Sequence, residues 1–238
     1  MNEQISLAVE LEEPVGFRAF EEKIHTQGFK RVAGIDEVGR GPLAGPVIAA
    51  AVVLQPEYSN PGIKDSKLLS VKQRQNLAPL IQANAADCAI GIVAVDEIDR
   101  LNIQQASLLA MVKAIAGLGL KPDYMLIDGN QSIPANLFRM AGFSAGIKMY
   151  QKTIIKGDRL CLSIAAASVV AKVARDTIML EYDKLYPQYG FAQHKGYGCE
   201  EHLDALRRYG PSPIHRQSFK PVREASPQQK DYGPLFEI

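Results

Sequence analysis

The stretch that decides the fold reads Arg31-Val-Ala-Gly34-Ile-Asp36-Glu37-Val-Gly39-Arg40-Gly41-Pro42-Leu-Ala-Gly45-Pro46, and it runs straight into Val47-Ile-Ala-Ala-Ala-Val-Val-Leu54. Two apolar, β-branched runs flank a turn rich in glycine and proline. That pattern predicts a strand over 31–38, a second over 47–54, and pairing between them. The first strand ends in two adjacent carboxylates. Each loses hydration beside apolar neighbours and repels the other, so compensation is required, and divalent metal supplies it directly. The turn beyond them offers backbone N–H groups and a guanidinium, a combination suited to a phosphate or a sugar hydroxyl.

Outward from this stretch, strands and helices alternate. Helices are predicted over Pro14–His25, ending near Gly28, and from an N-cap at Ser70 to Ala85. A third strand is expected over Cys88–Val95, and a helix over Asn102–Leu118 carries Leu108, Met111, Val112 and Ile115 at helical spacing. Tyr124–Ile127 reads as a short buried strand that ends at Asp128-Gly129-Asn130, and Thr153–Lys156 as another. From Ser163 to Leu185 an apolar stripe marks a long amphipathic helix that starts in Ala165-Ala166-Ala167-Ser168. A further helix is expected over Glu200–Tyr209. The class is α/β with a central mixed sheet, divided into an N-terminal extension (1–30, partly helical), a body (31–222) with a helical C-terminal region, and a polar, flexible tail (223–238).

The chain has 238 residues, 47% hydrophobic and 22% charged, enough for a sizeable core. Its net charge of +1 conceals an uneven distribution. Residues 1–22 hold six Glu and one Arg, whereas residues 147–176 hold six Lys/Arg against two Asp. Residues 184–223 hold seven Lys/Arg against three acids, so two basic stretches are available to face a polyanion. The three cysteines, Cys88, Cys161 and Cys199, form no CxxC pair, which argues against a disulfide framework or structural zinc. The acidic N-terminus does not read as a signal peptide, and the near-apolar run Pro42–Leu54 is too short and too interrupted to span a bilayer. A cytoplasmic monomer without membrane association is expected.

Acidic residues recur at strand ends: Asp36 and Glu37, then Asp128, then Asp158 after Lys156-Gly157. Residues at neighbouring strand ends converge on one edge of an α/β sheet, where ligands bind. Four carboxylates there suit two hard cations that activate water and stabilise a leaving oxygen. One tension is geometric. Consecutive strand residues face opposite sides, so Asp36 and Glu37 share a site only if Glu37 reaches around the strand terminus. Gly39-Arg40-Gly41-Pro42-Leu43-Ala44 also matches a dinucleotide fingerprint with Asp65 as the ribose ligand, but that fingerprint needs a helix where Val47–Val53 reads as strand. Ser66 and Lys67 stand near a helix start and suit a phosphate. Aromatic residues among basic ones, from Tyr186 to Tyr197 and again at His215-Arg216-Gln-Ser-Phe219, suit stacking on sugars or bases.

Several blocks together resemble the bacterial ribonuclease HII family: Gly34–Val47, Asp65–Ser70, Leu126–Asn130, Lys156–Asp158, Ser163–Asp176, Tyr186–Tyr197 and His215–Phe219, in family order. The resemblance implies a ribonuclease H-like fold. It further implies an endonuclease that hydrolyses the RNA strand of RNA–DNA hybrids and cuts 5′ of ribonucleotides embedded in duplex DNA, leaving 3′-hydroxyl and 5′-phosphate ends, as in ribonucleotide excision repair. By the same resemblance Asp36, Glu37, Asp128 and Asp158 are the metal-binding carboxylates for Mg2+ or Mn2+. Gly39-Arg40-Gly41 and Tyr197 sense the ribose 2′-hydroxyl, and Ser66, Lys67, Ser168, Lys172 and Arg216 are the remaining substrate contacts. Leu235-Phe236, closing a polar tail, is a candidate peptide for docking a replication sliding clamp. A metal-dependent nuclease acting on plain DNA, and a silent nucleic-acid binder, are the alternatives.

Overall fold

The computed structural model describes residues 16–63, 66–143 and 150–225. Five strands form one sheet: β1 (Val32–Val38), β2 (Val47–Leu54), β3 (Ala85–Val93), β4 (Tyr124–Asp128) and β5 (Tyr150–Ile154), in the order β3-β2-β1-β4-β5. β1 pairs antiparallel with β2, placing Asp36 opposite Ala50 and Glu37 opposite Ala49, and β2 pairs antiparallel with β3. On its other side β1 runs parallel to β4, and β4 to β5, so the sheet is mixed.

β2 lies between two strands and is buried on both faces, which is why it reads as a continuous apolar run. Val47, Ala49, Ala51 and Val53 enter the core beneath helix α4 (Ile103–Ala116). Ala50, Val52 and Leu54 enter the opposite core, beneath α7 (Leu162–Leu185) and α2 (Val71–Asn84). The small side chains set the spacing. An added Cβ on Gly34 of β1 would stand 2.1 Å from the carbonyl carbon of Ser163, so α7 packs directly on the strand backbone. Ala165, Ala166 and Ala167, all fully buried, continue that close contact along the helix. The start of α7 is capped from outside itself: Oε1 of buried Glu21, on α1 (Ala19–Thr26), accepts the Ser163 N–H at 2.7 Å. α2 begins as predicted, with Ser70 and Gln73 in a reciprocal capping box.

Several elements depart from the sequence expectation. α1 starts at Ala19 rather than Pro14, because the chain turns at Gly16 with φ of +130°. The third strand ends at Val93, and Val95–Leu101 forms a separate helix, α3, with Asp96 and Glu97 in its first turn. Asn102, at φ +75°, joins α3 to α4, and its side-chain oxygen caps α4 by accepting the N–H groups of Gln104 and Gln105. The last strand is Tyr150–Ile154 rather than Thr153–Lys156. Lys156 adopts a left-handed conformation that ends the strand direction and opens the short helix α6 (Gly157–Leu160). Ala135–Met140 forms α5, for which no helix was expected. The C-terminal region holds α8 (Phe191–His194), α9 (Glu200–Tyr209) and α10 (Lys220–Ala225); α10 is anchored by buried Val222 and continues to Ala225, beyond residue 223 where the tail was expected to start. Asp65 and Leu235-Phe236 lie outside the described residues. Among those described, no helix is long and apolar enough to cross a membrane.

Replacing Gly34 with Ala forces a carbon into the α7 backbone, and the expected loss is about 3 kcal/mol, the upper end for overpacking a core. Urea denaturation measures it. A loss under about 1 kcal/mol would mean that α7 is free to slide off the strand.

Candidate active site

β1 and its turn build one wall of a cleft of about 220 Å³ lined by Asp36, Glu37, Val38, Ser66, Lys67, Arg74, Asp128, Ser168, Lys172 and Tyr197. Asp36 shares the strand face of Gly34 and Val38, against α7, whereas Glu37 is on the face of Ala33 and Ile35, toward the other core. Both carboxylates nevertheless line the cleft, because β1 ends one residue later at Val38. The parallel neighbour β4 delivers Asp128 at its last position. Asp128 Oδ1 accepts the Gly157 N–H at 2.7 Å, which ties it to the first turn of α6 and to buried Asp158. An added Cβ on Gly157 would lie 3.3 Å from that oxygen and 2.6 Å from Ile164. The structure thus gathers all four predicted carboxylates at the carboxyl ends of three neighbouring strands.

Their electrostatics are unfavourable in isolation. Burial pushes Asp36 well above the ordinary carboxylate range, and the charges of Glu37, Asp128 and Asp158 push the same way against a hydrogen bond from Ser168. Burial also raises Glu37, opposed by the nearby Arg40 guanidinium at 3.6 Å. Asp128 is raised by burial and by Asp158, against N–H bonds from Gly157 and Asp158. Lys67 Nζ lies 3.4 Å from Asp158 Oδ2. These groups fit a divalent cation, because the donors are all hard carboxylate oxygens around a buried, like-charged centre. Among the described residues, no three His, Cys, Asp or Glu side chains are placed to hold a metal ion by themselves.

The turn is equally constrained. Gly39 has φ of +97°, and a Cβ there would lie 2.4 Å from Arg175 Nε, so glycine is required twice over. The Tyr197 ring packs against Gly41, whose added Cβ would meet it at 3.5 Å. Ser66 Oγ and Ser168 Oγ are 2.8 Å apart, and Lys172 is held by Asp176 at 2.7 Å.

Arg216 is a correction. Expected at the substrate, it is fully buried, and its N–H groups go to the carbonyls of Gly39 (2.6 Å), Arg40 (3.0 Å) and Gly45 (3.0 and 2.8 Å). It shapes the turn from behind. Arg175, absent from the predicted site, does the same for the carbonyls of Ala44, Pro46 and Lys195. Its helical register with Ser168 and Lys172, seven and three residues apart, was the available signal. Arg74 was also unforeseen; it lines the cleft and donates to the Ser66 carbonyl at 2.8 Å.

The family model for ribonuclease HII matches residues 33–222. The chain belongs to the ribonuclease HII family. It is 54% identical over 204 residues to ribonuclease HII of Syntrophobacter fumaroxidans, covering 86% of this chain and 82% of that one. Against the Geobacter metallireducens enzyme the identity is 51% over 205 residues, covering 86% and 91%. Among solved structures, ribonuclease H2 from Pyrococcus horikoshii superposes with a TM-score of 0.69 at 26% identity, covering 82% of this chain and 97% of that one. The fold is therefore ribonuclease H-like. Family membership makes the chain a metal-dependent endoribonuclease with ribonuclease H activity.

Because folding raises the pKa of Asp36, Glu37 and Asp128, the native state retains protons that the unfolded chain releases above about pH 4. In chelator, stability therefore falls as pH rises from that point. Asp36→Asn is expected to melt higher than the unaltered protein at pH 7, with the advantage vanishing near pH ~3, where these three carboxyls are largely protonated in both states. Calorimetry at the two pH values checks this; an equal advantage at both would remove charge repulsion as its cause.

Proposed function

We propose that the protein cuts the RNA strand of RNA–DNA hybrids and the 5′ side of ribonucleotides embedded in duplex DNA, leaving 3′-hydroxyl and 5′-phosphate ends. The observation that carries this reading is the placement of a bare-backbone turn and an aromatic ring at the rim of a carboxylate cluster. The 2′-hydroxyl distinguishes RNA from DNA at a given sugar. Gly39 and Gly41 let main-chain groups approach it, while Tyr197 offers a ring to the sugar and a hydroxyl to the phosphate. A nuclease for plain DNA has no use for such a detector, and a silent binder gains nothing from four carboxylates that repel its ligand.

Asp36, Glu37, Asp128 and Asp158 would hold two Mg2+ or Mn2+ ions. Bound there, such ions supply an activated water and stabilise the leaving 3′-oxygen. The chain's own groups do the rest. Ser66, Lys67, Ser168 and Lys172 line the same cleft and offer hydroxyl and ammonium donors to backbone phosphates. The basic stretches in the second half of the chain supply the wider field for a polyanion. A ribonuclease HII of Archaeoglobus fulgidus has been solved in complex with PCNA, at 26% identity and a TM-score of 0.63, covering 80% of this chain and 96% of that one. We extend the proposal to a sliding-clamp contact through Leu235-Phe236, with the enzyme acting as a cytoplasmic monomer.

The deciding experiment is cleavage of a labelled DNA duplex holding one ribonucleotide, beside an all-DNA control, in Mg2+, in Mn2+ and in chelator. Cutting is expected only with the ribonucleotide and only with metal. Asp36→Asn is expected to lower kcat by at least about a thousandfold while hybrid binding persists, consistent with loss of one stabilising group at a charged transition state. Cleavage of the all-DNA control, or undiminished turnover by Asp36→Asn, would overturn the reading.

A further inference from the structure

Three imidazoles stand behind Tyr197, outside the cleft, and no step of the reaction uses them. His202 and His215 are 0% and 1% exposed, and His194 stacks on His202 with ring centroids 4.5 Å apart. The hydrogen bonds assign each ring proton. His202 Nδ1–H donates to the Tyr197 carbonyl at 2.9 Å, an oxygen that also accepts the Cys199 N–H at 2.9 Å. His202 Nε2 is therefore a lone pair, and His215 Nε2, 2.9 Å away, carries the proton between them. His215 Nδ1 in turn accepts the Ser212 backbone N–H at 2.9 Å. Each nitrogen has one defined role, and both rings are neutral. Burial reinforces this by lowering the pKa of His202 to about 4 and of His215 to about 3.

The far end of this chain of bonds is the turn. Arg216 comes directly after His215 and holds the carbonyls of Gly39, Arg40 and Gly45, while its own backbone N–H donates to the Leu43 carbonyl at 2.9 Å. The Ile214 carbonyl accepts the Gly45 N–H at 2.8 Å, and the Leu43 N–H returns to the Gly196 carbonyl at 2.8 Å, next to Tyr197. The two halves of the sugar-reading surface are thus joined from behind through one buried segment.

We propose that the His202–His215 pair is a positioning device that holds Tyr197 in register with the Gly39-Arg40-Gly41 turn and thereby sets selectivity for a ribonucleotide sugar, an inference that rests on the sensor reading above. Both histidines are buried and neither lines the cleft. The competing account is that the two rings only fill space beside Tyr189 and Phe191, which pack against them.

A double-mutant cycle separates the two. The unaltered protein, Tyr197→Ala, His202→Leu and the double variant are compared on a duplex holding one ribonucleotide, with melting temperatures measured in parallel. If His202 acts through Tyr197, His202→Leu lowers kcat about tenfold with KM within about twofold, as expected for a misplaced group, and adds nothing in the Tyr197→Ala background. A full additional loss in that background overturns this inference alone. If Tyr197→Ala cleaves like the unaltered protein, the sensor reading falls first and this inference with it. Should His202→Leu not fold, His202→Asn and His202→Gln decide. The Asn amide stands where Nδ1 donates to the Tyr197 carbonyl and is expected to keep kcat, whereas the Gln amide reaches only toward His215 and is expected to lose it. Equal kcat for those two variants overturns the proposal.

Discussion

The contact between Gly34 and the first turn of α7 governs the geometry of the whole site. With no Cβ on the strand and alanines along the helix, α7 lies close against β1. That distance fixes the reach of every later side chain on the helix. Ser168 arrives beside Asp36, Lys172 reaches the cleft, and Arg175 slides beneath the turn. Glu21 secures the arrangement by capping α7 from α1, so the N-terminal helix belongs to the same packing unit as the sheet. A wider spacing would leave each of these side chains in place along the sequence yet out of reach of its partner.

The two buried arginines behind the turn are not paired with the carboxylates of the cleft. Two fully buried guanidiniums, Arg175 and Arg216, direct their hydrogen bonds to main-chain carbonyls of the turn, although carboxylates stand one and two residues before Val38 on the same strand. Had either arginine paired with Asp36, the carboxylate cluster would be neutralised and its affinity for a divalent cation reduced. Burial instead lowers Arg175 to about 10 and Arg216 to about 9, still charged at neutral pH, while the carboxylates are pushed up. The site therefore carries a repulsion of like charges that a bound cation would relieve. This is a common way for a functional centre to be less stable than the scaffold around it.

Much of the fold was legible beforehand where a local signal coincided with the tertiary outcome. β2, the Ser70 cap, the long helix from residue 162 and the spaced acids come from patterns confined to a few neighbouring residues. The misjudged elements are those in which a turn overrides a pattern. Asn102 and Lys156 take positive φ without being glycine, the first separating α4 from the unexpected α3 and the second standing just beyond the early end of β5. Arg216 misled for a different reason. A basic residue beside aromatics reads as a substrate contact, and nothing local reveals that backbone carbonyls 171 to 177 residues away will enclose it.

Residue types and short spacings were enough to set the class of chemistry. Paired carboxylates, a glycine turn and spaced acids allow hard-cation chemistry beside a backbone surface, since these properties belong to individual residues and their near neighbours. Which groups line the cleft, and which are buried behind it, emerged with the packed chain alone. Arg175, Arg216, His202 and His215 owe their roles to partners distant along the chain, and burial in a shared core converts ordinary surface residue types into fixed hydrogen-bond donors and acceptors.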